Sequence, residues 1–195
     1  MRSVLAKPSV LTGLLVGLAG SVIEPVVVLY LLRVADLHPS LVGIAIGTGA
    51  IGGILGGVAI GPLTERFGHW PSLTLGIVSM ALGTVLLLVL GPISGLGFVA
   101  GIVFELGTAV GGTITLAGIM GRLQERTDPR RISVTMSVAS VSLELIGLGA
   151  IAVGAILAEL FALDVPLIAS LAIYAVVLIG IAIGAWSRHR RRSSP

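Results

Sequence analysis

The sequence predicts an all-α integral membrane protein, a bundle of six transmembrane helices. Three observations predict this class. Hydrophobic residues make up 55% of the 195 residues, mean hydropathy is +1.12 and only 11% of residues are charged, which excludes an ordinary soluble domain. Six apolar stretches are each long enough to cross a bilayer, which takes about 20 helical residues. Finally, almost all basic residues fall into alternate connectors.

The predicted helices are separated by short connectors that contain helix-breaking residues. Residues 36–40 end the first helix and cap the second, Pro71 opens the third, Pro92 follows it and Pro166 opens the sixth. The first apolar run is too long for a signal peptide, so we expect it to remain a spanning helix. The bundle covers residues 1–187, with a basic tail at 188–195, and its spans are predicted at 10–32, 40–62, 71–91, 96–119, 132–158 and 166–187.

The distribution of Lys and Arg predicts the orientation. Eleven of the twelve basic residues lie at the termini or in the second and fourth connectors, and only Arg33 lies on the other side. Because basic loops stay in the cytoplasm, both termini are predicted to be cytoplasmic in a multi-pass protein of the cell (inner or plasma) membrane. The pI near 10.2 does not indicate a nucleic-acid partner, because these residues sit beside the membrane, where attraction to anionic lipids explains them.

The residues needed for several kinds of chemistry are missing or scattered. Cysteine is absent, which excludes disulfides and thiolate chemistry. His38, His69 and His189 fall in different loops and termini, so we predict no metal site. No Ser–His pair or phosphate-cradling loop is evident. We therefore predict neither an enzyme nor a cofactor.

Glycine is unusually frequent in the second predicted helix. Glycine spaced four residues apart lets helix backbones approach closely inside lipid. The pattern predicts either tight static packing or a surface on which two helices slide. Pairs at this spacing include Gly43/Gly47, Gly49/Gly53, Gly53/Gly57 and Gly57/Gly61.

Three carboxylates, Glu24, Glu105 and Glu144, lie inside predicted spans. Each falls within three residues of its predicted helix midpoint, so all three are expected within about 5 Å of the bilayer centre. A charge at that depth costs at least ~3 kcal/mol on insertion scales. Each acid ends or begins a polar stripe at helical spacing. The stripes are Gly13, Gly17, Ser21 and Glu24; Glu105, Thr108, Gly112 and Thr115; and Ser133, Ser137, Ser140 and Glu144.

Nothing in the predicted spans neutralises these acids, because no Lys or Arg lies in any of them. The pattern indicates a water-filled translocation path in which the acids bind protons or a cationic substrate. The alternative is a static bundle in which each acid is protonated and hydrogen-bonded to a neighbouring helix. The residues alone leave both interpretations open.

The connector after the second helix has the sequence Gly-Pro-Leu-Thr-Glu-Arg-Phe-Gly-His-Trp at residues 61–70. It resembles the G-x-L-a-D-R-F-G-r-r signature of the major facilitator superfamily, which joins the second and third helices of each six-helix half. Glu65 replaces the usual Asp, while His69 and Trp70 replace the basic pair. The matching residues are Gly61, Leu63, Arg66, Phe67 and Gly68.

The resemblance implies that this connector acts as a cytoplasmic latch, as it does in the family. Glu65 and Arg66 would pair with charges at neighbouring helix ends in one transport state and release them in the other. The candidate partners are Arg122, Glu125, Arg126 and Asp128.

The resemblance covers essentially the whole chain but only half of a family member. Full carriers have twelve helices in two halves, each built from two three-helix repeats related by inversion. The chain resembles the C-terminal half. Residues 28–33 and 124–131 are similar to the drug- and siderophore-exporter branch, nearest the macrolide and enterobactin exporter-like proteins.

The resemblance implies proton-coupled efflux of an amphipathic small molecule, with this bundle rocking against a second one. The second bundle would be a separately encoded first half or another copy of this chain. The alternative from a different class is a non-transporting membrane interaction or assembly subunit, or the product of an inactive gene remnant.

Overall fold

The computed structural model describes residues 8–125, 127 and 132–193. Over these residues each helix is long and apolar enough to cross a bilayer. The chain is therefore a multi-pass membrane protein, and the predicted six-helix class is confirmed. The helices are α1 Pro8–Arg33, α2 Pro39–Phe67, α3 His69–Leu90, α4 Gly97–Glu125, α5 Ile132–Leu160 and α6 Asp164–Ser193.

Helix α2 is longer than predicted, because it continues through Pro62 to Phe67. Membrane helices tolerate proline where neighbouring groups satisfy the freed carbonyl. The helix ends at Gly68, whose φ of 81° is readily adopted only by glycine. The Gly68 amide donates to the Thr64 carbonyl at 2.9 Å. Most of the predicted signature loop is therefore the last turns of α2.

Helices α4 and α6 also extend beyond their predicted ends at 119 and 187, to Glu125 and Ser193. Residues 185–194 contain neither Gly nor Pro. Arg has a high helix propensity and is favoured near a helix C-terminus, where it complements the helix dipole. The basic segment therefore continues α6 to residue 193.

Helix α1 lies at the centre of the bundle. It buries Val16 and Ala19 in one hydrophobic cluster, and Tyr30 and Leu31 in another. The outer helices instead expose large apolar side chains, such as Leu145 of α5. In a membrane protein such side chains face lipid or a partner helix.

The helix packing is symmetric when the first three helices are exchanged with the last three. Helix α4 packs most extensively on α2 and α3, whereas α1 packs most extensively on α5 and α6. Helices α1 and α4 run antiparallel, since Gly13 lies against Ile119 and Gly101 against Leu31. This pattern fits two three-helix units related by inversion.

Two close glycine contacts repeat under this exchange. Gly56 of α2 lies on the backbone of Val110 in α4, where a β-carbon on residue 56 would stand 2.8 Å from the Val110 carbonyl oxygen. Gly154 of α5 lies in the same way on the carbonyl of Val22 in α1. In each unit, the second helix therefore packs against the first helix of the other unit through a glycine.

Two hydrogen bonds between helices repeat as well. Ser79 of α3 donates to the Gly107 carbonyl of α4 at 2.9 Å. Ser170 of α6 donates to the Ala19 carbonyl of α1 at 2.6 Å. Both hydrogen bonds join the third helix of one unit to the first helix of the other. They therefore hold together helices that line the cavities of the bundle.

Candidate functional site

The larger of two adjoining cavities lies between α1, α4 and α5 and has a volume of about 690 Å³. All four residues of the predicted α1 stripe line it. Helix α4 contributes Gly112 and Thr115, and α5 contributes Glu144. Most of the remaining wall consists of Leu, Ile and Val side chains. The cavity thus combines an apolar wall with two acids, from α1 and α5.

The smaller cavity lies between α1, α4 and α6 and has a volume of about 360 Å³. Glu24 of α1 lines it, together with Glu105 and Thr108 of α4 and Tyr174 of α6. Phe104 and Ile23 supply part of its apolar wall. This cavity also contains an acid from each of two helices.

Glu24 lines both cavities, as do Gly20 and Met80. The structure therefore brings the predicted acids together in two pairs that share Glu24: Glu24 with Glu144, and Glu24 with Glu105. The α5 stripe contributes only its acid, because Ser133, Ser137 and Ser140 line neither cavity.

The three acids differ in exposure. In the isolated chain Glu24 and Glu144 are exposed, whereas Glu105 is half-buried. The Glu105 carboxyl group packs against α2, where a β-carbon on residue 49 would stand 3.1 Å from Oε2. No Lys or Arg occurs between residues 67 and 121 or between 132 and 187. Glu105 and Glu144 therefore lie far along the sequence from any basic residue, whereas Glu24 lies nine residues before Arg33 in α1.

The acids also lie at different heights. Glu144 lies two residues before residue 146, the midpoint of α5, and Glu24 lies about four residues after the middle of α1. Glu105 lies six residues before residue 111, the midpoint of α4, or about 9 Å along the axis. Glu105 therefore lies farther from the midpoint of its helix than the predicted span placed it, because α4 extends six residues past its predicted end at 119.

Each cavity contains a buried hydroxyl group. The Thr115 side chain is 2% exposed and lines the larger cavity, while Tyr174 is fully buried and lines the smaller one. Neither hydroxyl has a hydrogen-bond partner in the part of the chain that the structure describes. The sequence analysis missed Tyr174, although a tyrosine in the middle of an apolar span is a visible signal.

Residues 61–70, which resemble the family signature, lie at the opposite end of α2 from the connector at residues 34–38. Glu65 and Arg66 are exposed, and neither makes an ion pair with any residue that the structure describes. The guanidinium of Arg66 lies 5.4 Å from the ring centroid of Phe67. The predicted pairing of the signature acid and Arg66 with charges on α4 is not formed among these residues.

Arg122 does contact this region, through Trp70. Its guanidinium lies 4.6 Å from a Trp70 ring centroid, within the range of a cation–π interaction. This contact joins the C-terminal part of α4 to the first turn of α3. Of the other predicted partners, Arg126 and Asp128 lie outside the described residues, and Glu125 is placed only as the last residue of α4.

The described residues contain no group of three or more His, Cys, Asp or Glu that could hold a metal ion. The arrangement can instead bind protons or cations through two pairs of carboxylates in a setting with little competing positive charge. No protein-family model matches the chain, and no curated protein matches it significantly.

Proposed function

We propose that this chain forms one half of a transport unit of the major facilitator type, which exports an amphipathic small molecule in exchange for protons. One observation supports this most strongly: Glu24 lines two adjoining cavities, each of which contains a second acid. A proton on Glu24 would change the charge of both cavities at once. Competition between proton and substrate for one acid is a direct route to coupled exchange.

The open face of the larger cavity supports a partner. Glu24 and Glu144 are exposed in the isolated chain, and a charge in contact with lipid costs several kcal/mol. A second six-helix bundle, separately encoded or a second copy of this chain, would cover the acids and complete the path. Alternating access would then come from rocking of one bundle against the other.

The distribution of basic residues supports an orientation with both termini and the α2–α3 junction in the cytoplasm of the cell membrane. In this orientation Glu65, Arg66 and the Arg122–Trp70 contact lie at the cytoplasmic side. They would stabilise one state of the bundle relative to the other.

The proposal is tested in inside-out vesicles from the native membrane, which retain any partner. Respiration acidifies the vesicles, and a pH-sensitive dye reports protons that leave when a macrolide or a lipophilic dye is added. We expect substrate-dependent proton release with the wild-type chain and its loss in Glu24→Gln. Glu159→Gln is the matched control, because Glu159 is exposed on α5 and lines neither cavity.

If proton release persists when Glu24, Glu105 and Glu144 are all replaced by Gln, the cavity plays no part in coupling and the proposal is wrong. If the wild-type chain gives no proton release with any compound added, the transport proposal is wrong, and a non-transporting interaction or assembly role is the better interpretation.

A further inference from the structure

The smaller cavity has a polar end that proton exchange alone does not explain. Glu105 and Thr108 lie about one turn apart on α4 and line this cavity together with Tyr174 of α6. The three side chains supply oxygen atoms from two helices to one space. The larger cavity has a different composition, with a longer apolar wall and its second acid on α5.

The Tyr174 hydroxyl is the first sign of a ligand. Tyr174 is fully buried, and its hydroxyl has no hydrogen-bond partner among the described residues. The oxygen lies 4.0 Å from the position that a β-carbon on residue 20 would occupy, and Gly20 itself lines the cavity. An unpaired buried hydroxyl costs about 1–3 kcal/mol, so its partner is expected to be a bound species.

Thr108 limits what that species can be. Its hydroxyl donates its one proton to the Phe104 carbonyl at 2.7 Å. The oxygen can then offer only lone pairs to the cavity. When ionised, Glu105 offers a carboxylate, which also accepts only. A species held by these groups must be a cation or a proton donor, which excludes an anion.

Charge and size favour a compact monovalent cation. Glu105 is the half-buried acid of this cavity, and no group of three or more metal-binding side chains exists among the described residues to hold a multivalent ion. A volume of about 360 Å³ accommodates an ion with several waters, since one water occupies roughly 30 Å³. Hard cations of this kind are bound by carboxylate, hydroxyl and water oxygens.

We propose that the smaller cavity binds a sodium ion between Glu105, Thr108 and Tyr174, with water completing its coordination. This site does not depend on transport or on a partner bundle, so it can be tested on the full chain alone. Glu24, which lines the same cavity, would then sense the ion through its charge and transmit the effect to the larger cavity.

The test is thermal unfolding of the purified full chain in detergent micelles while NaCl replaces choline chloride at constant ionic strength. We expect a saturable rise in Tm with Na⁺, because a ligand that binds only the folded state stabilises it. Glu105→Gln should abolish the rise. Tyr174→Phe should weaken the apparent affinity for Na⁺ by about tenfold or more.

Glu159→Gln is the matched control, because Glu159 is exposed on α5 and lines neither cavity, so its loss should leave the Na⁺ response unchanged. A second control shows that Tyr174→Phe does not simply unfold the protein. In choline chloride without Na⁺, this variant should be at least as stable as the wild type, because it removes an unpaired buried hydroxyl.

Three outcomes would overturn the proposal: no saturable rise in Tm when Na⁺ replaces choline around the wild-type chain, an undiminished Na⁺ response in Glu105→Gln, or an equal loss of that response in Glu159→Gln. The wild-type titration decides the first without any variant. A failed sodium site leaves the exchange proposal standing, since the vesicle assay measures proton release and not sodium binding.

Discussion

Gly49 of α2 lies directly against the carboxyl group of Glu105 in α4. A β-carbon on residue 49 would stand 3.1 Å from Glu105 Oε2 and 3.9 Å from the Glu105 carbonyl oxygen. The first distance is shorter than ordinary van der Waals contact between carbon and oxygen, so any side chain at position 49 must displace the carboxyl group. Gly49 therefore positions Glu105 in the smaller cavity.

Replacing Gly49 with Ala should move the Glu105 carboxyl group by a few tenths of an ångström without disturbing the backbone. We expect little loss of folding stability, because alanine has the higher helix propensity and a flexible side chain can shift. The apparent affinity for Na⁺ should nevertheless fall, as the same thermal titration would show. Gly47→Ala is the control, since nothing lies within 4 Å of that position. Equal apparent affinities for Na⁺ in the two variants would show that Gly49 does not position Glu105 for sodium binding.

Gly56→Ala should destabilise the bundle, because the new β-carbon would meet backbone that cannot move out of the way. It would lie 2.8 Å from the Val110 carbonyl oxygen. Overpacking of this kind costs about 1–3 kcal/mol. Unfolding by SDS titration in mixed micelles measures the change. Gly57→Ala is the control: it adds the same methyl group where nothing lies within 4 Å, so it should not destabilise the bundle. An equal loss of stability in Gly57→Ala would mean that the α2–α4 contact is not tight.

The sequence predicted close packing by α2 but not the face that packs. Gly43, Gly47, Gly57 and Gly61, all members of the predicted pairs, meet nothing within 4 Å. The contact with α4 is made by Gly52 and Gly56, together with Gly49 and Gly53 of one predicted pair. The glycines cover more than half of the circumference of α2, so spacing alone cannot select a face. The choice depends on where α4 lies, which is a property of the tertiary structure.

A Ser170→Ala substitution should weaken the attachment of α6 to α1. It removes the hydrogen bond from the Ser170 hydroxyl to the Ala19 carbonyl at 2.6 Å. Hydrogen bonds between membrane helices contribute on average about 0.6 kcal/mol, with a maximum near 1.7. SDS unfolding should detect a loss in this range. Ser142→Ala is the control, because Ser142 donates to Val138 within its own helix. Equal effects would show that the bond between helices adds nothing.

Part of the candidate site could be predicted from single residues, and part could not. Glu24, Glu105 and Glu144 were visible as charges inside apolar spans, because the bilayer makes such residues exceptional. Tyr174 was missed because its role depends on α6 facing α1 and α4, which no local pattern reveals. Glu24 was visible as an acid, but its position between two cavities was not, since that requires α4, α5 and α6 all to pack around α1.

Replacing Arg66 with Ala should impair proton-coupled transport more than it impairs membrane insertion. Arg66 is exposed at the end of α2 and makes no ion pair among the described residues, so the fold does not depend on it in this state. A latch residue acts in another state of the bundle. The vesicle assay measures transport, and immunoblotting of the membrane fraction measures insertion. Arg33→Ala, an exposed arginine at the end of α1, is the control. Equal losses of transport and insertion in Arg66→Ala would make this segment purely structural.

Two single-cysteine variants test the orientation without any background to remove, because the chain contains no cysteine. Ser94 lies exposed in the connector between α3 and α4, which the basic residues predict to be outside the cell. Ser94→Cys in intact cells should therefore react with a membrane-impermeant maleimide. Ser193→Cys, at the end of α6, should react only after the membrane is opened with detergent. Both should be labelled fully in detergent, which controls for reactivity. The opposite pattern in intact cells would invert the bundle and move Glu65, Arg66 and Trp70 to the outside.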